Sequence, residues 1–152
     1  RFAEAVKGSE EDLDLARAAL LIAQEWNPSL DLDAYLARLD RLARRAALRL
    51  DPLASEEERL DALNRVLFTE EGFTGNRAAY YDPRNSFLNE VLDRRTGLQI
   101  SLSTVYMTVA RCGGLPIWGV GFPGHFLVKF AGEGEEIVLD PFNRGLVPPS
   151  NN

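Results

Sequence analysis

Apolar positions recur at helical spacing through the first half of the chain and alternate at strand spacing near its end. Leu13, Ala16, Leu20 and Ala23 repeat every three or four residues, with Trp26 on the same stripe, and Asn27-Pro28 halts the run. Ser9, followed by Glu10, Glu11 and Asp12, supplies a capping hydroxyl and first-turn acids, so the first helix is expected to start there. A second helix is predicted from Leu32 to Leu50, burying Tyr35, Leu36, Leu39, Leu42 and Ala46 and stopped by Asp51-Pro52. Ser55 and Glu58 have the spacing of a capping box, opening a third helix with Leu60, Leu63, Val66 and Leu67 on its apolar face. No motif recurs at a fixed period along these three helices, so a repeat array is not expected.

From Glu71 to Asn85 the texture becomes rich in turns and aromatics, with Gly72, Phe73, Gly75, Asn76, Tyr80, Tyr81 and Pro83. Asn85 or Ser86 is expected to cap a short helix carrying Phe87, Leu88, Val91 and Leu92 up to Gly97. A further helix is expected from near Ser101 to Cys112, closed by Gly113-Gly114 with Pro116 beyond. Three strands follow, at Ile117 to Phe122, His125 to Phe130 and Glu136 to Leu139. The pattern predicts an α+β fold, with a helical part of about 1–97 packed against a central helix and small antiparallel sheet of about 98–147.

The last two strands read as a hairpin around Gly132-Glu133-Gly134. If Ala131 pairs with Gly134, Phe126 faces Leu139 and Val128 faces Ile137 on one apolar side. The other side pairs Lys129 with Glu136, Leu127 with Val138 and His125 with Asp140. A slip of one residue would mix the faces, so this is the expected register.

Composition narrows the function. At 152 residues and 45% apolar residues the chain supports one core and one domain. A net charge of −6 argues against binding a nucleic-acid backbone. No apolar run reaches the ~18 residues of a membrane span. Nothing at the start resembles a signal peptide, and the opening Arg1 suggests a domain taken from a longer protein. The single cysteine, Cys112, cannot form an internal disulfide, which fits a reducing, cytoplasmic setting. One histidine and one cysteine give no zinc-ligand set, and no glycine-rich phosphate loop precedes a helix. Neither a metal nor a cofactor is expected.

The chemistry gathers at the hairpin's open end. An imidazole held by a carboxylate is the base-and-orienter half of a nucleophilic triad. Its third member belongs at a helix N-terminus, where free N–H groups and the dipole favour negative charge. Here that is Gln99-Ile100-Ser101-Leu102-Ser103. Ser101, His125 and Asp140 are therefore candidate catalytic positions, with Gln99 and Ser103 as alternatives for the nucleophile. Each has a simpler account: Ser101 as a helix cap, Ser103 as a first-turn polar residue, and His125 with Asp140 as a structural pair. Asn85 and Trp118 are candidate cleft-lining residues.

Several strings resemble a known family. They are Gly72-Phe73-Thr74-Gly75-Asn76, Tyr81-Asp82-Pro83-Arg84-Asn85-Ser86-Phe87-Leu88-Asn89, Phe122-Pro123-Gly124-His125-Phe126-Leu127 and Asp140-Pro141-Phe142. Together they resemble the bacterial SirB-type branch of the transglutaminase-like superfamily, over nearly the whole chain. The resemblance implies a papain-like fold with His125 and Asp140 in the triad's His and Asp places. In that branch such a domain usually precedes tetratricopeptide repeats, which this chain does not contain. It also implies a cysteine two residues after the glycine that opens the central helix, and here that position is Gln99. Cys112 lies near the helix's far end, ~15 Å away at the usual rise. The expectation is a domain without a thiolate nucleophile: a pseudoenzyme serving as a binding or regulatory module, with a protein or peptide as the expected kind of partner, or alternatively a Ser-His-Asp hydrolase of amides or esters.

Overall fold

The computed structural model describes residues 15–122, 125–131 and 136–145, and the side chains of Phe122 and His125 lie outside the description. The expected helix start at Ser9, the apolar position Leu13 and the hairpin turn at 132–134 also fall outside it.

The helical half follows from its apolar stripes. Helix α1 is described over 15–26 and buries Ala16, Leu20 and Ala23, as the spacing predicts. Trp26 is instead 73% exposed and rests against Phe87, with ring centroids 5.4 Å apart. Helix α2 spans Leu32–Leu48, with Asp31 accepting a hydrogen bond from the Ala34 N–H at its start. Leu39, Leu42, Ala43 and Ala46 are its buried stripe, while Tyr35 and Leu36 are half-buried. Helix α3, Glu56–Asn64, has both bonds of the capping box expected from Ser55 and Glu58. Its apolar face continues into a π-helical turn, Arg65–Glu70, which buries Val66, Leu67 and Phe68.

The next segment departs from the pattern. Pro83–Ser86 form a 3-10 turn capped by Asp82, and α4 (Leu88–Arg94) begins after Phe87 with no side-chain cap. Neither Asn85 nor Ser86 caps that helix, because both already belong to the preceding turn. Two short parallel strands, β1 (Thr74–Gly75) and β2 (Thr96–Gly97), pair across the base of this region.

Helix α5, Gln99–Cys112, starts two residues earlier than expected and is buried from Ser101 through Ala110. A helix covered all round is the central element of a core, and α5 packs against α2, β3 and β4. Gly114, at φ +82°, turns the chain out of it. Strands β3 (Ile117–Phe122), β4 (His125–Ala131) and β5 (Glu136–Leu139) form an antiparallel sheet in chain order.

The β4–β5 register differs from the expected one by two residues. Ala131 pairs with Glu136, Phe130 with Ile137, Lys129 with Val138 and Val128 with Leu139. The connection therefore holds four residues rather than two. An even shift returns each side chain to the same face, so Val128, Phe130 and Leu139 still enter the core. Lys129 and Glu136 meet diagonally, with Nζ 3.0 Å from Oε1.

Candidate functional site

The site is built where α5 begins. Gly97, the last residue of β2, leads through Leu98 into Gln99. A Cβ on Gly97 would stand 2.7 Å from the Ser101 Oγ and 2.9 Å from a Val91 methyl, so only glycine admits this approach. The Ser101 hydroxyl uses the space. It accepts from the Leu98 N–H at 3.0 Å and donates to the Asn85 carbonyl at 2.7 Å. It thus ties the helix start to the 76–85 loop, and it is 8% exposed. A hydroxyl proton donated to a backbone carbonyl is not in the hands of a base.

Asn85 is fully buried and does not line a cleft. Its side-chain oxygen accepts from Asn76 at 2.9 Å, and its amide nitrogen donates to the carbonyls of Ala79 and Tyr80. A short loop with many inward-facing backbone groups needs such a partner, and Asn supplies both donor and acceptor. Ser103 is also fully buried, and its Oγ has no hydrogen-bond partner among the described residues.

Gln99 is placed differently. Its Oε1 accepts from the Tyr80 hydroxyl at 3.2 Å. The Tyr80 ring meets Phe142 edge-on, with centroids 6.0 Å apart, and the Arg77 guanidinium lies 5.2 Å from the other ring's centre. Phe142 can sit there because residue 75 is glycine: a Cβ at that position would come within 2.5 Å of the ring. The Asp140 carboxylate accepts from the Phe142 N–H at 3.1 Å and from the Asn143 side-chain amide, holding a 3-10 turn over Pro141–Asn143. A chain of contacts therefore links the opening residue of α5 to the Asp140 turn through Tyr80 and Phe142. Nothing in residue spacing announces this link, because Tyr80 and Phe142 lie 62 positions apart in sequence.

His125 heads β4, and its side chain lies outside the described residues. Continuing the observed ladder by one step sets Leu127, not His125, opposite Asp140. The observed ladder therefore does not contain the direct His125–Asp140 pair expected. Trp118 is 39% exposed on the outer face of β3, beside Lys129. It does not line the open cleft of about 280 Å³ that runs past the α5 start, whose walls include Leu88, Leu98, Gln99, Ile100, Ser101 and Thr104.

Cys112 stands at the other end of α5, exposed, and partial desolvation followed by the Asp40 carboxylate pushes its thiol above the ordinary range. Among the described residues, no group of three or more His, Cys, Asp or Glu side chains is placed to hold a metal ion. No helix there is long and apolar enough to cross a membrane.

Comparison with known proteins gives this geometry its context. The profile described as "Transglutaminase-like superfamily" matches residues 33–151. The chain belongs to that superfamily. A UPF0162 protein of Xylella fastidiosa (strain Temecula1) is 41% identical over 136 residues, covering 90% of this chain and 48% of the relative. Protein SirB1 of Salmonella typhimurium is 32% identical over 106 residues, or 69% of this chain and 39% of that protein. These relatives place the chain in the SirB-type family of transglutaminase-like domains. Mouse F-box only protein 21 is 46% identical over 84 residues, 55% of this chain and 13% of its own length. The chain spans about half the length of the bacterial UPF0162 relatives. No solved structure matches it.

Proposed function

We propose that this transglutaminase-like domain has lost thiol catalysis and serves as a binding module for a protein or peptide partner. The observation that carries the reading is Gln99. It opens α5 two residues after Gly97, where the family pattern calls for cysteine, and its amide is held by Tyr80. An amide is neither a nucleophile nor a base at neutral pH, but it donates and accepts hydrogen bonds as a peptide ligand requires. Beside it, Leu88, Leu98 and Ile100 give the cleft an apolar wall, with Ile100 64% exposed. The lone cysteine, far from the site and not activated, fits a domain working in a reducing, cytoplasmic setting.

The serine-hydrolase alternative is weakened by the Ser101 hydrogen bonds, which occupy both its proton and a lone pair. Two experiments separate the readings. The unmodified domain should hydrolyse activated esters no faster than the buffer does. Gln99→Cys should yield a thiol with a depressed pKa, detected by the pH dependence of alkylation, and His125→Ala in that background should abolish the depression. Ser101→Cys should show no such thiolate. Ester hydrolysis well above background that Ser101→Ala removes would instead establish the hydrolase.

A further inference from the structure

A second cleft, sharing no residue with the α5 site, lies where α2 meets α4. Arg38, Arg41, Arg45 and Arg95 line it together with Leu42 and Leu92, around a volume of about 160 Å³. The three α2 arginines are spaced three and four residues apart and form one stripe, about 10 Å long at the usual helical rise. Arg95 faces them from the end of α4, where it adopts a left-handed conformation at φ 61°.

The cluster is held rather than neutralised. Glu71 bridges two of its members, with Oε2 2.6 Å from Arg45 and Oε1 2.9 Å from Arg95. The Arg95 guanidinium also lies over the Phe73 ring at 5.1 Å. Asp93 pairs with Arg38, which donates from its other nitrogen to the Leu92 carbonyl at 3.0 Å. Arg41 has no ion-pair or hydrogen-bond partner among the described residues. Among the described residues, four guanidinium groups therefore pair with two carboxylates, leaving two positive charges in a chain whose net charge is −6. Arginine cannot relieve this by losing a proton.

We propose that this pocket binds a small dianionic oxyanion, either inorganic phosphate or the phosphate monoester group of a small molecule. Arg41 supplies the free planar fork for a two-point contact, and Arg38, Arg45 and Arg95 supply fixed donors around it. The volume is below the ~300–1,000 Å³ of sites that enclose a drug-sized ligand, so it suits a charged head group. The surrounding negative charge disfavours an extended polyanion.

The test is calorimetric titration of the protein with inorganic phosphate and, separately, with glycerol phosphate, at constant ionic strength set by chloride. Saturable binding of either probe is expected, and Arg41→Ala should weaken it by about tenfold or more while Arg41→Lys retains part of it. Arg44→Ala is the control, because Arg44 sits on the same helix but pairs outward with Asp40. It should leave the affinity unchanged. Tighter binding of glycerol phosphate would identify a monoester as the ligand, and equal or tighter binding of phosphate would identify the free ion. Absence of saturation by both probes up to about 10 mM would overturn the proposal. So would equal weakening by Arg44→Ala and Arg41→Ala, since that marks a diffuse charge effect. Arg41 is exposed and unpartnered, so its variants are expected to keep the parent's melting temperature, which circular dichroism checks.

Discussion

At the residue scale, Ser101 and Gly97 act as one unit. The serine oxygen fills the volume a Cβ at residue 97 would take, and from there it serves both the Leu98 N–H and the Asn85 carbonyl. Gly97→Ala is therefore expected to destabilise the protein by about 1–3 kcal/mol, because the backbone must move to relieve the overlap. Ser101→Ala should cost about 1–3 kcal/mol, since it leaves buried backbone groups without their partner. The two losses should not add, because either substitution breaks the same junction. Urea unfolding of the two single variants and the double variant measures this. Fully additive losses would show that the hydroxyl and the glycine are independent. Sequence alone presents Ser101 as a cap or a nucleophile. Its bond from the Leu98 N–H is the local cap, whereas its second partner, a carbonyl 16 residues away, is created by the tertiary fold and has no local signal.

At the scale of elements, the parts governed by local chemistry were legible. The Ser55–Glu58 box, the stripes of α1 to α3, the glycine stop after α5 and all three sheet strands follow from spacing and turn residues. Other features were not. The π-helical turn after α3 keeps the apolar face that a continued α-helix would show, so its extra residue per turn leaves little trace in the pattern. The start of α4 is not legible because a 3-10 turn takes the residues that would otherwise cap it. The hairpin register was displaced by two because alternation fixes faces but not loop length, and an even shift satisfies it equally well. Lys129 and Glu136 survive this shift as a diagonal pair, 30% and 57% exposed. Exposure and the diagonal geometry predict a small coupling, about 0–1 kcal/mol in a double-mutant cycle and smaller still in 1 M salt. A coupling well above that range, insensitive to salt, would show that the pair sets the register rather than decorating it.

At the scale of the whole molecule, the helical half, the central helix and the last turn are joined at Tyr106. Its ring is buried in the middle of α5 and stacks near Phe68, with centroids 5.8 Å apart. Its hydroxyl donates to the Asn64 Oδ1 at 2.7 Å, at the end of α3. The same Asn64 packs against Gly145, whose φ of +75° and close approach leave no room for a side chain, and Arg144 donates to the Phe68 carbonyl. Burial, and then the Asp61 carboxylate, push the Tyr106 phenol above its ordinary value. A raised phenol pKa means that the folded state disfavours tyrosinate. The stability it contributes is complete below the unfolded value, about 10, and is lost as pH rises beyond it. Tyr106→Phe should therefore cost about 0.5–1.5 kcal/mol at pH 7 through the lost hydrogen bond. It should also flatten the decline in stability above pH 10, so that variant and parent converge on alkaline titration. Asn64→Leu should cost more, about 1–3 kcal/mol, because it strands a buried hydroxyl. Adding Tyr106→Phe to it should restore part of that loss. Urea midpoints for the three variants between pH 7 and 11 decide the matter. If Asn64→Leu is no worse than Tyr106→Phe, and the alkaline decline persists without the phenol, then Tyr106 contributes packing alone and the junction is held by its apolar contacts.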